Sequence, residues 1–254
     1  MFDSNHYVPI LKGKEGEFKA IANLSAITKS FSTPLVDVPR RTKNQEVKIS
    51  LNQHLEKKAI KIGRSWGTKS RIFVDLSTID PDAKTSNNQH PYTILFNKLR
   101  SENVKAIPTI GYETDAEQIF AVKNIIAEDK SGLLIRLSYE DIVDDITDID
   151  KGLKEIMNQV NISPRAAHLL LDIGSIEGKD IGVLSQQIQA FINNLPNIKL
   201  WKTLTVASSA IPHELSKVVV RNSIKIIPRN DYALWVLINN SSNNFNRHPS
   251  YGDY

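Results

Sequence analysis

The sequence predicts an α/β fold of the (β/α)8 kind, a TIM-barrel-like single domain over residues 1–254, on three observations. Short runs rich in Val, Ile and Leu alternate with stretches of helical period. The runs recur about every 30 to 35 residues, the length of one strand–helix unit. Several end in a charge: YVPILK at Lys12, TPLVD at Asp37, RIFVD at Asp75, LLIR at Arg136 and HLLLD at Asp172. The alternative is an open doubly wound sheet, whose first turn often carries a Gly-rich phosphate loop. Here Lys12-Gly13-Lys14-Glu15-Gly16-Glu17 has the wrong glycine spacing and too many acids for that loop.

In chain order, strands are predicted at Tyr7 to Leu11, Pro34 to Val38, Arg71 to Leu76, Lys105 to Ile110, Gly132 to Leu137, Ala167 to Ile173 and Lys199 to Val206. An eighth around Ser250 to Tyr254 completes the ring, as an incomplete or irregular last unit. Between them, Glu17 to Leu24 and Leu51 to Gly63 repeat apolar residues at spacings of three and four. Asp115 is placed to cap a helix through Ile126, and Asp150 to cap the helix containing Leu153, Ile156 and Met157. Ile181 to Ile192 carries an apolar face, and Asn230 to Asn239 is predicted to turn Tyr232, Trp235 and Val236 inward. Pro81 to Pro91 reads as a loop. Residues 238–254 read as a polar linker and a possible last strand, because INNSSNNFNR has no apolar period.

With 254 residues, 41% hydrophobic and 24% charged, the chain has a soluble globular composition and the length of one large barrel. The net charge of +4 is spread through helices, without an aromatic-studded basic stripe, which argues against nucleic-acid binding. No run approaches the roughly 18 to 20 apolar residues of a membrane span, so no membrane is expected and the location is read as cytoplasmic. Cysteine is absent, which excludes disulfides, thiolate metal sites and a cysteine nucleophile. The six histidines show no metal-ligand spacing, and no nucleophile elbow, Walker loop or kinase signature occurs, so no metal site is assigned and no cofactor is named.

The strand-end charges carry the functional reading. Charges at the ends of buried strands are costly unless they meet each other or a ligand, and a barrel gathers strand C-termini in one mouth. Lys12, Asp37, Asp75 and Asp172 are therefore candidate catalytic residues. Lys12, Arg136 and Tyr112 are candidate binders of a small anionic or phosphorylated ligand. The plainer reading is an internal ion network that plugs the barrel. Glu177, Ser208 and Ser209 are read as loop and turn residues.

The opening HYVPILKGKEGEFKAIANL, the PLVDVP at Pro34 to Pro39, the FVDL at Phe73 to Leu76, the LLLDIG at Leu169 to Gly174, the PRNDYALW at Pro228 to Trp235 and the final YGDY span the chain. Together they resemble the phage-encoded Beta protein family, whose named member keeps the Gop toxin from killing its host. The resemblance implies a phage or prophage protein. Its implied role is a restraining, antitoxin-like part of an antiviral or abortive-infection system, with a toxin or another phage-defence protein as partner. Asp37 stands where a Glu is expected in many members. No catalytic residues carry over from the family, so the strand-end set rests on the residues themselves.

Overall fold

A run such as LLLDI is apolar on both faces of a strand, and strands of this kind persist only in a sheet covered on both sides. The computed structural model describes residues 2–80, 83, 85, 86, 88–212, 215–240 and 246–254. Its strands are β1 (Tyr7–Leu11), β2 (Leu35–Asp37), β3 (Arg71–Asp75), β4 (Lys105–Gly111), β5 (Leu133–Ser138), β6 (Ala167–Ser175), β7 (Thr203–Ser209) and β8 (Ser250–Asp253). All pair in parallel with their sequence neighbours, and β8 pairs with β1 through Tyr7 to Tyr251, Val8 to Gly252 and Pro9 to Asp253. The barrel is closed, which rules out the open sheet.

The helices are α1 (Glu15–Ala22), α2 (Ala26–Ser30), α3 (Lys43–Lys48), α4 (Leu51–Trp66), α5 (Pro91–Ser101), α6 (Ala116–Asp129), α7 (Tyr139–Val143), α8 (Ile146–Gln159), α9 (Ile181–Asn194), α10 (Leu215–Val218) and α11 (Asn230–Asn240). Caps start them. Ser50 accepts from the amide of Gln53 at α4, Asp115 from Gln118 at α6 and Asp180 from Gly182 at α9. Among the described residues no helix is long and apolar enough to cross a membrane.

Several boundaries differ from the sequence reading. The α8 cap is Asp145, whose carboxylate accepts from the Thr147 amide; Asp150 lies inside the helix and pairs with Lys154 at 2.5 Å. β7 begins at Thr203, because Asn197 adopts a left-handed conformation and residues 198–200 form a 3-10 turn. α11 buries Leu234 and Ile238, while Tyr232 is exposed and Trp235 half-buried, stacked on one another near Tyr251. The polar linker is shorter than 238–254, since residues 238–240 belong to α11; residues 241–245 lie outside the described part, as do 81, 82, 84 and 87 of the Pro81 to Pro91 loop. α5 has no counterpart in the sequence reading, although His90 caps it, Pro91 opens it and Tyr92, Leu95, Phe96 and Leu99 are buried along it.

Strand alternation sorts the interior into tiers. Val36, Ile72, Val74 and Leu169 point outward against the helices, while Val8, Ile10, Leu35, Phe73, Ile107, Leu134, Leu170 and Ala207 fill the bore as a separate cluster. Phe2 packs on one end of that cluster and Tyr254 on the other. Two residues further along each strand, the same inward direction brings up Lys12, Asp37, Asp75, Thr109, Arg136 and Asp172.

Gly252 lets β8 close against the bore: a Cβ there would lie 2.8 Å from Ala207 Cβ and 2.9 Å from the Val8 carbonyl oxygen. Gly252→Ala is expected to cost about 1–3 kcal/mol by overpacking. Gly16→Ala, in α1 with nothing within 4 Å of a new Cβ, is expected to be neutral or to gain about 0.4–1 kcal/mol. Urea unfolding of both variants checks the contrast, and equal stabilities would contradict the closure role of Gly252.

Candidate functional site at the barrel mouth

β2 and β3 end one inward tier above the bore, at Asp37 and Asp75, and β5 and β6 pass through the tier above the bore at Arg136 and Asp172. Asp37 pairs directly with Asp75, and Ser138 with Asp172 two residues above Arg136. Arg136 reaches across this ring. Its Nη1 donates to Asp37 Oδ1 at 2.9 Å and to Asp75 Oδ2 at 2.7 Å, and its Nε donates to Asp172 Oδ2 at 2.8 Å. Nη2 lies 2.7 Å from the same Asp172 oxygen and donates to the Tyr254 hydroxyl at 2.9 Å, and that hydroxyl in turn donates to Asp172.

One guanidinium thus faces three carboxylates in a largely buried place; Asp75 is 2% exposed. The backbone offsets part of the excess. The Ser77 amide donates to Asp75 Oδ1 at 2.7 Å, and the Gly174 amide to Asp172 Oδ1 at 3.0 Å, at the bulge where β6 slips against β7. Among the described residues no such amide reaches Asp37. Burial pushes its carboxyl up to about 6; Arg136 pulls the other way, and the charge of Asp75 adds to the rise. Burial works against the charge of Arg136 as well, but Asp172, Asp37 and Asp75 outweigh it and hold the guanidinium firmly protonated. Burial, then the Asp172 charge, raises the Tyr254 phenol, which stays protonated as a donor.

Four of the five strand-end charges therefore meet, and Lys12 does not join them. It is exposed, with Nζ 5.8 Å from the Tyr254 ring centroid in a cation–π contact. Tyr112 lies on the wall of the mouth, its hydroxyl donating to the Asp148 carbonyl at 3.0 Å while its ring occupies the space left by Gly152. Glu177 is exposed and not part of the wall, and Ser209 donates to the Ile211 carbonyl in the turn after β7. Tyr254 and Lys179 enter the region without having been singled out. Tyr254 was legible only as the next inward residue after Gly252.

The cavity above the network measures about 730 Å³. Its wall adds Glu113, Glu140 and Asp141 to the three aspartates, against Arg136 and Lys179. Asp141 caps α7 by accepting from the Ser138 amide at 2.7 Å, and Lys179 sits 4.4 Å from the Tyr139 ring centroid. The mouth is acidic. Arg136 has spent its donors inside the network. Among the described residues no set of three His, Cys, Asp or Glu side chains is placed to hold a metal ion.

Comparison with known proteins assigns the family. The family model described as Beta protein matches residues 7–254, and the chain belongs to that family. No curated protein matches it. Solved structures similar to it include triosephosphate isomerase from Bartonella henselae, at 11% identity over 98% of this chain and 92% of that one, with a TM-score of 0.47. A xylanase from Cellvibrio japonicus matches at 11% identity over 95% and 75% of the two chains, with a TM-score of 0.38. A putative dihydrodipicolinate synthase family protein from Coccidioides immitis matches at 9% identity over 82% and 60%, with a TM-score of 0.36.

Removing the guanidinium leaves buried carboxylates unpaired, so Arg136→Met is expected to destabilise the fold by about 3–5 kcal/mol near neutral pH. Without the cation the Asp37 carboxyl holds its proton still more tightly folded than unfolded. Losing the cation pushes the Asp37 carboxyl above the value of about 6 that it has beside Arg136, so the native state binds the extra proton, and stability is recovered as pH falls towards the ordinary carboxylate range and lost as pH rises through the raised value. Denaturant midpoints of Arg136→Met between pH 4 and 8 check this; a deficit independent of pH would contradict it.

Proposed function

We propose that this Beta family protein is the restraining component of a phage-associated defence system, and that it holds a toxin or another defence protein through the acidic mouth of its barrel. The observation that carries the reading is the closed Arg136 network. Because Asp37, Asp75, Asp172 and Tyr254 take up all the donors that Arg136 offers, these groups hold one another in place and leave the rim acids outward. A fixed, concave, acidic surface suits a basic segment of a partner: complementary charge steers the encounter and rejects acidic competitors.

The test uses residues outside the network. Glu113 and Glu140 are exposed and line the mouth. The Glu113→Lys, Glu140→Lys double variant is expected to melt as the parent does and to bind the product of the adjacent gene at least about tenfold more weakly, because like charges then face each other. It should also fail to protect cells expressing that product. Full protection by a folded double variant, or neighbouring gene products that are all harmless alone, would contradict the reading.

A second reading, an enzyme of the barrel mouth, is favoured by one observation. Asp37 carries a carboxyl pushed up to about 6 at the end where barrels of this kind place their chemistry. Asp37 would act as acid or base, Asp75 and Asp172 would orient Arg136, and Tyr112 and Lys12 would bind at the rim. The acid excess favours a neutral or cationic substrate over the anionic or phosphorylated one suggested by the strand-end cations. Any turnover found should rise or fall across a single ionisation near pH 6 and drop by about 10²–10⁴ in Asp37→Asn. A flat pH profile would remove Asp37 from the chemistry.

A further inference from the structure

The opposite end of the barrel carries a second cavity of about 720 Å³, below the bore cluster and separate from the mouth. Its apolar side is formed by Phe2, Phe31, Phe73 and Ile107. At its inner end lies His168, 2% exposed, on the inward tier of β6 two residues before Leu170. One imidazole nitrogen, Nδ1, meets the Thr203 hydroxyl at 2.8 Å, while the other, Nε2, is buried and has no hydrogen-bond partner among the described residues. A buried polar atom left unpaired costs about 1–3 kcal/mol, which is rarely tolerated without a role.

Two cations stand at the same cavity. Arg71 opens β3 and is exposed, and Lys202 lies just before β7, half-buried. Among the described residues neither has an ion-pair partner. Burial lowers the Lys202 ammonium's affinity for its proton, and the Arg71 charge lowers it further, so the two like charges act on each other. Burial, then the charges of Lys202 and Arg71, keep His168 neutral. The acid in the wall, Asp3, is exposed and accepts from the Asn5 amide at 2.9 Å. Lys29, also in the wall, is turned to the carbonyls of Ser65 and Trp66.

We propose that this cavity is a binding site for a small aromatic carboxylate, with the ring held against the wall formed by Phe2, Phe73 and His168 and the carboxylate held by His168 Nε2–H, Arg71 and Lys202. The rings pack on one another into an aromatic wall that can take a flat guest on its open side. Phe73 and His168 meet edge to face at 5.0 Å between centroids, and Phe2 stands 6.0 Å from His168 and 6.2 Å from Phe73. The hydrogen bonding fits an anion. In the tautomer that accepts the Thr203 hydroxyl at Nδ1, the imidazole proton sits on Nε2, the atom without a partner among the described residues. A carboxylate between Arg71 and Lys202 also relieves their mutual repulsion. The cavity volume lies in the range of small-molecule sites.

The test titrates the 254-residue chain with benzoate, neutral benzamide and inorganic phosphate, reading the His168 imidazole nitrogens by long-range proton–nitrogen NMR. Benzoate is expected to bind with Kd on the order of millimolar or tighter and to shift the Nε2 signal of His168. Benzamide and phosphate are expected to bind at least about tenfold more weakly, each lacking one half of the recognition. Arg71→Ala and Lys202→Ala, both at partly or fully exposed positions, should retain the fold and weaken benzoate by about tenfold each. An unshifted His168 under saturating benzoate overturns the site. Benzamide equal to benzoate overturns the anion assignment, and phosphate equal to benzoate overturns the aromatic one.

Discussion

Everything at the functional end of this barrel depends on one guanidinium surrounded by three buried carboxylates. Neither partner is stable there alone: burial disfavours each charge, and the surplus of carboxylate is tolerated because the backbone amides of Ser77 and Gly174 and the hydroxyl of Tyr254 supply further donors. Arg136 donates to residues of β2, β3 and β6 and to the residue that follows β8, so it ties distant strands into one rim. Such a network contributes positioning more surely than stability, since a well-packed apolar replacement is often no less stable.

The strand period explains why chemistry is segregated by level. The bore tier is apolar, and the next inward residues towards the strand C-termini are the charged ones, so a two-residue step takes the chain from a dry core to an acidic mouth. In the other direction the same step leads from Leu170 to His168 and from Phe73 to Arg71, and Lys202 stands at the edge just before β7. Phe2 and Tyr254 close the two ends of the bore, and the mouth and the lower cavity are thereby separate sites with opposite charge.

Much of this was legible in the sequence because it follows from period and spacing. The apolar runs were long enough, and regular enough, to give the closed parallel barrel, and the terminal charges of four runs were enough to place Asp37, Asp75, Arg136 and Asp172 together. Lys12 shared the pattern but not the outcome: it is exposed on the loop after β1 and turns to the Tyr254 ring instead of the carboxylates. Pattern gives direction along a strand and says nothing of where a long flexible side chain ends. Tyr254 and Gly174 were hidden because their role comes from pairing across the barrel and from a bulge, both nonlocal. α5 is a different case. Its signals, Pro at the start and Tyr92, Leu95, Phe96 and Leu99 on one face, are local and were obscured by the loop-like stretch before it.

Among the described residues Asp37 is the carboxyl left without a backbone donor in an otherwise satisfied network. Carbon-13 NMR of the Asp37 side-chain carboxyl, followed from pH 3 to 8 in the intact protein, measures this directly. A carboxyl buried beside Asp75 without a backbone donor is expected to show a midpoint of about 6. A midpoint of about 4, the ordinary range for an aspartate, would mean that Asp37 is solvated or otherwise paired and that the closed network is not the one described.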